Sequence, residues 1–293
     1  MKSFEDRCPT ALFVYYAAAI CIPVFIFDPR VAGISFAGAY LHLLFYTDRA
    51  AIVGKTVGTA AFFCILSAIN PIFSHNGATV LFFVNDMRIT LEDLLYGMTS
   101  AAVILSAVCR FAVFSKITDA ERTAYLLRRL SPGLSLLFSM TVRFVPLFRE
   151  QFMRTSDAQK TLGLYKDGNL IDFFRAKLRI FMSVASWAIE NGVTTADSMS
   201  ARGYGIGRPT FAERFPMHIG DAVIISLTVA ATACVAVGGF GGVFSATFYP
   251  TVSLPHDGPL FYTATACCAA ISFLPVFYEI GGACRWKYLM SKI

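Results

Sequence analysis

The stretch of the sequence closest in form to a nucleotide site is Gly54-Lys55-Thr56. A phosphate-cradling loop needs a glycine five residues before its second glycine, so that backbone N–H groups can wrap the phosphates. Position 49 is arginine, and these residues open an apolar run, so they read as the mouth of a hydrophobic helix. Metal chemistry is no better provided for. The eight cysteines, at 8, 21, 64, 109, 234, 267, 268 and 284, fall mostly within apolar runs, and the four histidines, at 42, 75, 218 and 256, are dispersed. No spacing among them matches a zinc site or a disulfide framework. No catalytic residue, metal site or cofactor is expected, and no nucleic-acid partner.

The chemistry that the sequence does offer is recognition. In Ala196-Asp197-Ser198-Met199-Ser200-Ala201-Arg202-Gly203-Tyr204-Gly205, glycine stands where a helix would stop. Glycine takes the left-handed conformation after a helix at no steric cost. Arg202 would then sit at a helix tip, beside the small Ala201. A guanidinium there can enter an acidic groove with forked hydrogen bonds, or it can simply cap its own helix through the dipole. A related end precedes it: Asp157-Ala158-Gln159-Lys160-Thr161-Leu162-Gly163 again closes on glycine. Two such tips suggest a two-pronged docking surface, against the plainer reading of two ordinary glycine caps.

The elements that must carry these tips are set by composition. Of 293 residues, 56% are hydrophobic and only 15% charged, with a mean hydropathy of +0.60. Soluble domains run about 25% charged, so lipid is the expected solvent. The N-terminus carries acids and lacks a small-residue cleavage site, so its first apolar run reads as a retained span. Runs of the length a bilayer requires lie at about 11–27, 31–46, 51–70, 92–114, 219–241 and 260–283, the second of them short. Residues 79–91 alternate like a hairpin around Asn85-Asp86 on the outer side. Within these spans, His42 and Glu279 are the main ionisable residues.

The block 115–217 differs. Residues 110–217 hold 16 Lys/Arg against 9 Asp/Glu, a net of +7, while the rest of the chain holds 9 against 10, a net of −1. Such a bias marks the cytoplasmic side. The basic tail Arg285 to Lys292, and an even number of spans on each side of the block, also put both termini inside. Three helices are expected here. The first, about 119–130, has an acidic start and ends on Arg128-Arg129. The second, about 134–162, is broken or bent at Pro146. The third covers about 171–202, after a turn at 165–169. Arg143 in the middle of the second would be expensive in lipid, so an interfacial or protein-covered helix is expected.

Over about 119–210, the order and spacing of these residues resemble the transmembrane T component of energy-coupling-factor (ECF) transporters, the EcfT/CbiQ family. Members carry an Ala-Gln-x-Ala-Arg-Gly stretch on one coupling helix and Ala-x-x-Met-x-Ala-Arg-Gly-Tyr on the next. Here these are Ala158-Gln159-Lys160-Thr161-Leu162-Gly163 and Ala196 to Tyr204. Arg143-Phe144-Val145-Pro146-Leu147 is similar to an upstream Arg-Phe-Ile-Pro-Leu of the family, and Arg208-Pro209-Thr210 to an Arg-Thr after the second motif. The first motif departs from the pattern, with Thr161 and Leu162 in place of alanine and arginine; Lys160 offers a point charge there rather than a fork.

The resemblance implies an all-α integral membrane protein of about six spans, with a cytoplasmic coupling domain of about three helices, two of them long and crossed. The segments would be 1–115, 116–217 and 218–293. It also implies a non-catalytic scaffold of a vitamin or metal-ion importer in a bacterial plasma membrane. Lys160, Thr161, Leu162 and Gly163 at one tip, and Ala201, Arg202 and Gly203 at the other, would dock into two cytoplasmic ATPases. These ATPases would be unlike, because one tip lacks the arginine. Leu137, Phe144, Phe148, Phe181 and Met182 would hold a membrane-embedded S component that binds substrate. The alternatives are a conventional ABC permease with its own substrate path, which buried ionisable residues in the spans would favour, and a membrane-embedded enzyme, for which no polar cluster is present.

Overall fold

The computed structural model describes residues 4, 7–74, 77–84, 87–163, 170–207, 215–244, 246–249, 252–253 and 258–291. In chain order the elements are α1 (Pro9–Phe25), α2 (Pro29–Phe45), α3 (Arg49–Phe73), β1 (Val80–Val84), β2 (Met87–Thr90), α4 (Leu91–Ile117), α5 (Ala120–Leu130), α6 (Pro132–Thr161), α7 (Leu170–Ala201), α8 (Ile219–Phe240) and α9 (Pro259–Met290). They fall into two compact units. Met1–Asp119 and Phe215–Ile293 form one, and Ala120–Arg214 forms the other.

The first unit is a helical bundle centred on α4, which packs against α1, α2 and α3; α9 packs on α2 and α8, and α8 on α1. Among the described residues, four helices are long and apolar enough to cross a bilayer: Ala50–Phe73, Leu91–Ile117, Ile219–Phe240 and Pro259–Gly282. The apolar α1 and its neighbour α2 have 17 residues each. At 1.5 Å per residue they are about 25 Å long, short of a roughly 30 Å hydrocarbon core. Four helices thus have full spanning length, and α1 and α2 are shorter. Burial separates their roles: 56% of the α4 window is buried in the bundle but only 6% of that of α3, so α3 is a peripheral helix with most of its surface left for lipid.

Prolines explain much of how the bundle is fastened. A proline inside a helix has no N–H for the carbonyl four residues earlier, and lipid cannot satisfy that carbonyl, so a neighbouring helix must. Pro23 in α1 frees the carbonyl of Ala19, which accepts from Arg110 Nη1 of α4. Pro275 in α9 frees Ile271, which accepts from the Tyr15 hydroxyl at 3.0 Å. Pro71 in α3 frees Ser67, and Gly97 of α4 lies against that oxygen: a Cβ there would come within 2.5 Å of it. Gly38 likewise lets α2 meet α9, since its Cβ would lie 2.7 Å from the Ser272 carbonyl oxygen. Small residues at such crossings let backbones approach closely.

The two ends of the bundle are closed by polar contacts. At one end, β1 and β2 pair antiparallel, with Phe83 opposite Arg88, as the alternation over 79–91 predicts; the turn residues Asn85 and Asp86 lie outside the described residues. Strand β2 runs straight into α4, whose buried Asp93 accepts from the Tyr249 hydroxyl at 2.7 Å, while its carbonyl accepts from Asn70 at 3.1 Å. Burial raises the Tyr249 phenol above its ordinary value. At the other end, Arg7 pairs with Asp221 at 3.1 Å on the first turn of α8 and lies over the Tyr278 ring. The Phe4 N–H and the Tyr46 hydroxyl both donate to Glu279, at 3.2 and 3.0 Å.

Candidate coupling surface

The second unit is built from α5, α6 and α7, with α6 packed on both of the others. Glu121 in the first turn of α5 and Arg128-Arg129 in its last complement the helix dipole. The Ser135 hydroxyl donates to the Ala124 carbonyl at 2.8 Å, tying α6 to α5. Of the break or bend expected at Pro146, the break does not occur: α6 runs through it as one helix of 30 residues. Val142, whose carbonyl Pro146 leaves without its usual donor, is exposed, so solvent can supply that bond. Neither α6 nor α7 is among the helices apolar enough to span, and Arg143 is exposed. The turn at 165–169 and Arg208-Pro209-Thr210 lie outside the described residues.

Both long helices end as their glycines predict. Gly203 has φ +83 and Gly163 φ +67. After α7, the Tyr204 N–H bonds to the Met199 carbonyl and the Gly203 N–H to the Ser200 carbonyl, both at 3.0 Å. This six-to-one and five-to-two pair is a Schellman end. It makes Arg202 the capping residue and turns the chain sharply after it, with Ala201 and Arg202 exposed. After α6, the Gly163 N–H bonds to the Lys160 carbonyl at 3.0 Å. The capping residue is Leu162, which is 74% exposed. Lys160 pairs with Asp157 at 3.0 Å on the helix surface, so its charge is partly answered within its own turn. The two tips thus share a backbone form and differ in chemistry: one presents a guanidinium, the other an apolar side chain.

The residues expected to meet an S component divide in two. Leu137, Phe181 and Met182 are each 60% exposed or more. Phe144 and Phe148 are half-buried and stack on each other at 5.8 Å, and Phe148 meets Trp187 of α7 edge-on at 5.9 Å. That pair therefore has a share in holding α6 to α7, whatever else it touches.

The bundle holds more buried charge than His42 and Glu279. Arg110 is 2% exposed, and besides the Ala19 carbonyl it donates to the Ser35 carbonyl at 3.3 Å and the Ser272 hydroxyl at 3.0 Å. Arg7, Glu92, Asp93 and Asp221 are buried as well. An arginine inside the run 92–114 was the available signal, read together with prolines in two neighbouring runs. Arg110 is engaged by α1, α2 and α9, Arg7 by Asp221 of α8, Glu92 by Thr79 and Asp93 by Tyr249, which is what fasteners do; a substrate path would leave such groups facing an opening. Among the described residues no group of three His, Cys, Asp or Glu is placed to hold a metal ion.

The chain thus comprises an apolar helical bundle and a separate unit whose two long helices end on positive-φ glycines. Residues 2–211 match the family described as cobalt transport protein, CbiQ. The match covers more than half of the chain and runs past the second tip, and the chain belongs to this family. It is also similar to the energy-coupling factor transporter transmembrane protein EcfT of Streptococcus equi subsp. equi (strain 4047), with 24% identity over 151 residues, 48% of this chain and 56% of that protein. The chain thus spans about half the length of the relative it matches. The family is thus described as one of transport proteins, and the Streptococcus relative as a transmembrane protein of an energy-coupling factor transporter.

Proposed function

We propose that this chain is the non-catalytic transmembrane scaffold of an ECF-type importer, multi-pass in a bacterial plasma membrane with both termini cytoplasmic. In this reading α1 and α2 also cross the membrane, giving six spans. Two unlike cytoplasmic ATPases dock on the tips, one taking Ala201, Arg202 and Gly203 and the other taking Lys160, Thr161, Leu162 and Gly163. A small S component binds the vitamin or metal ion and rests on the exposed apolar residues of crossed α6 and α7, Leu137, Phe181 and Met182 foremost, with Phe144 and Phe148 at the edge of that surface. Closure of the ATPases on ATP would move the tips and tilt the S component.

The observation that carries this reading is the pair of tips, one backbone form bearing Arg202 and Leu162, in a chain of this family. The engagement of Arg110 by three neighbouring helices, and of Arg7 by Asp221 of α8, weighs against the permease reading. The test is affinity purification from native membranes in mild detergent, with every co-purifying chain identified. Two ATPases and a small membrane protein are expected, and the chain alone should not hydrolyse ATP. Hydrolysis that survives removal of contaminants, or recovery without any ATPase, overturns the scaffold.

A further inference from the structure

Phe4 and residues of α1, α2 and α9 form an aromatic cluster inside the bundle. Phe4 meets Tyr15, Tyr16 and His42 edge-on, at 5.3, 6.4 and 6.1 Å between ring centres, and Tyr278 at 6.1 Å. Tyr46 meets His42 edge-on as well, at 5.4 Å. Protein groups satisfy most of the polar tips of these rings. The Tyr15 hydroxyl donates to the Ile271 carbonyl at 3.0 Å, the Tyr46 hydroxyl donates to Glu279 at 3.0 Å, and the Tyr278 hydroxyl accepts from Arg7. Two atoms stand apart. The Tyr16 hydroxyl and His42 Nε2 are buried, and among the described residues neither has a hydrogen-bond partner. Their residues are 2% and 1% exposed.

Leaving a buried hydroxyl or ring nitrogen unpaired is costly, and here two such atoms lie on adjoining rings. They do not satisfy each other. Tyr16 and His42 are stacked, with planes 15° apart and centres 6.1 Å apart. The hydrogen-bond direction of Nε2 lies in the imidazole plane, and that of a phenol lies close to its own ring plane, so neither points at the other across the stack. A small bent molecule beyond the ring edges can reach both. Two bonds of about 2.8 Å each let one water join atoms up to roughly 5 Å apart. The bridge closes in either imidazole tautomer, because a hydroxyl and a water can each donate or accept. Buried waters characteristically sit where otherwise unpaired polar groups converge. Half-buried Tyr46 and Glu279 border the cluster, which gives water a polar way in from that end of the bundle. The link would matter to the fold, because α1 and α2 touch each other little and both pack against α4.

We propose that one ordered water molecule is bound between the Tyr16 hydroxyl and His42 Nε2, joining α1 to α2 inside the bundle. The proposal does not rest on the ECF reading, so either can fail without the other. The test uses the full-length chain with Tyr16→Phe, alone and combined with His42→Phe; both changes keep an aromatic ring and remove a polar atom. In reversible unfolding from mixed micelles, Tyr16→Phe alone should lower the folding equilibrium constant about fivefold, the worth of one net hydrogen bond, because the water loses a partner. In the His42→Phe background, where the bridge is already gone, Tyr16→Phe should leave the constant unchanged or raise it. A gain of stability from Tyr16→Phe alone, as expected from removing a hydroxyl that pairs with nothing, overturns the proposal. So does an equal effect in both backgrounds. A second arm needs no variant: a density map of the native chain in lipid, sharp enough to show ordered waters elsewhere in the bundle, should hold a peak within hydrogen-bond distance of both atoms. A map without that peak, or one in which the hydroxyl bonds the imidazole directly, overturns the bridge.

Discussion

Arg110→Met removes three cross-helix hydrogen bonds at once, to the Ala19 carbonyl, the Ser35 carbonyl and the Ser272 hydroxyl. Polar contacts between helices in a bilayer average about 0.6 kcal/mol and reach about 1.7. Three of them, from a charged donor, amount to about 2–5 kcal/mol. Methionine fills much of the volume without a charge to desolvate, which offsets part of that loss. The decisive perturbation is the double mutant with Pro23→Ala. Alanine at 23 restores the N–H that the Ala19 carbonyl lacks, so that oxygen no longer depends on Arg110. In that background, Arg110→Met should cost about 1 kcal/mol less than in the native chain. The assay is reversible unfolding from mixed micelles, run as a double-mutant cycle. Additive effects, within about 0.5 kcal/mol, would refute the idea that Arg110 serves the carbonyl freed by Pro23. Tyr15→Phe with Pro275→Ala is the same cycle at the Ile271 carbonyl, with an expected loss of about 0.6–1.7 kcal/mol for the single change.

The proposed docking surface supports four further predictions. Arg202→Ala should reduce ATPase recovery about 30-fold or more, since truncating one partner of a buried charge pair costs about 2–5 kcal/mol. Leu162→Ala should be milder, about 1–2 kcal/mol for an apolar side chain covered by a partner, and Leu162→Arg should weaken assembly; equal losses from Arg202→Ala and Leu162→Ala in the same pull-down would sink the unlike-groove account. Phe181→Ser should lower S-component recovery and leave the melting temperature of the chain unchanged, because Phe181 is 61% exposed. Phe144→Ser should lower both, because its ring stacks on Phe148, which meets Trp187; unaltered stability there would show that the stack does not hold α6 to α7.

Local signals gave the helices of the Ala120–Arg214 unit almost entirely. Glu121, Arg128, Gly163 and Gly203 mark helix ends through effects that act within one turn, so α5, α6 and α7 emerge within two residues of where the sequence places them. The strands on either side of Asn85-Asp86 were legible for the same reason. The bundle was legible only in outline. Whether α1 and α2 are full spans turns on a few residues at their ends, where Asp28 and Pro29 stop one helix and start the next. The partners of Arg110 lie 91, 75 and 162 residues away along the chain, a pairing that no local pattern encodes. The prolines were nevertheless a readable hint that three carbonyls would need donors or a close neighbour from elsewhere. At the tips, the glycines announced the backbone.

The central claim is that this chain couples ATPases to a separate substrate-binding component. It is tested most directly by measuring substrate uptake and ATP hydrolysis together in proteoliposomes assembled with and without this chain. With the two ATPases and the S component present, uptake should require the chain and ATP, and Arg202→Ala should abolish uptake. Uptake by the ATPases and S component without this chain, or by this chain and ATPases without an S component, would contradict the account.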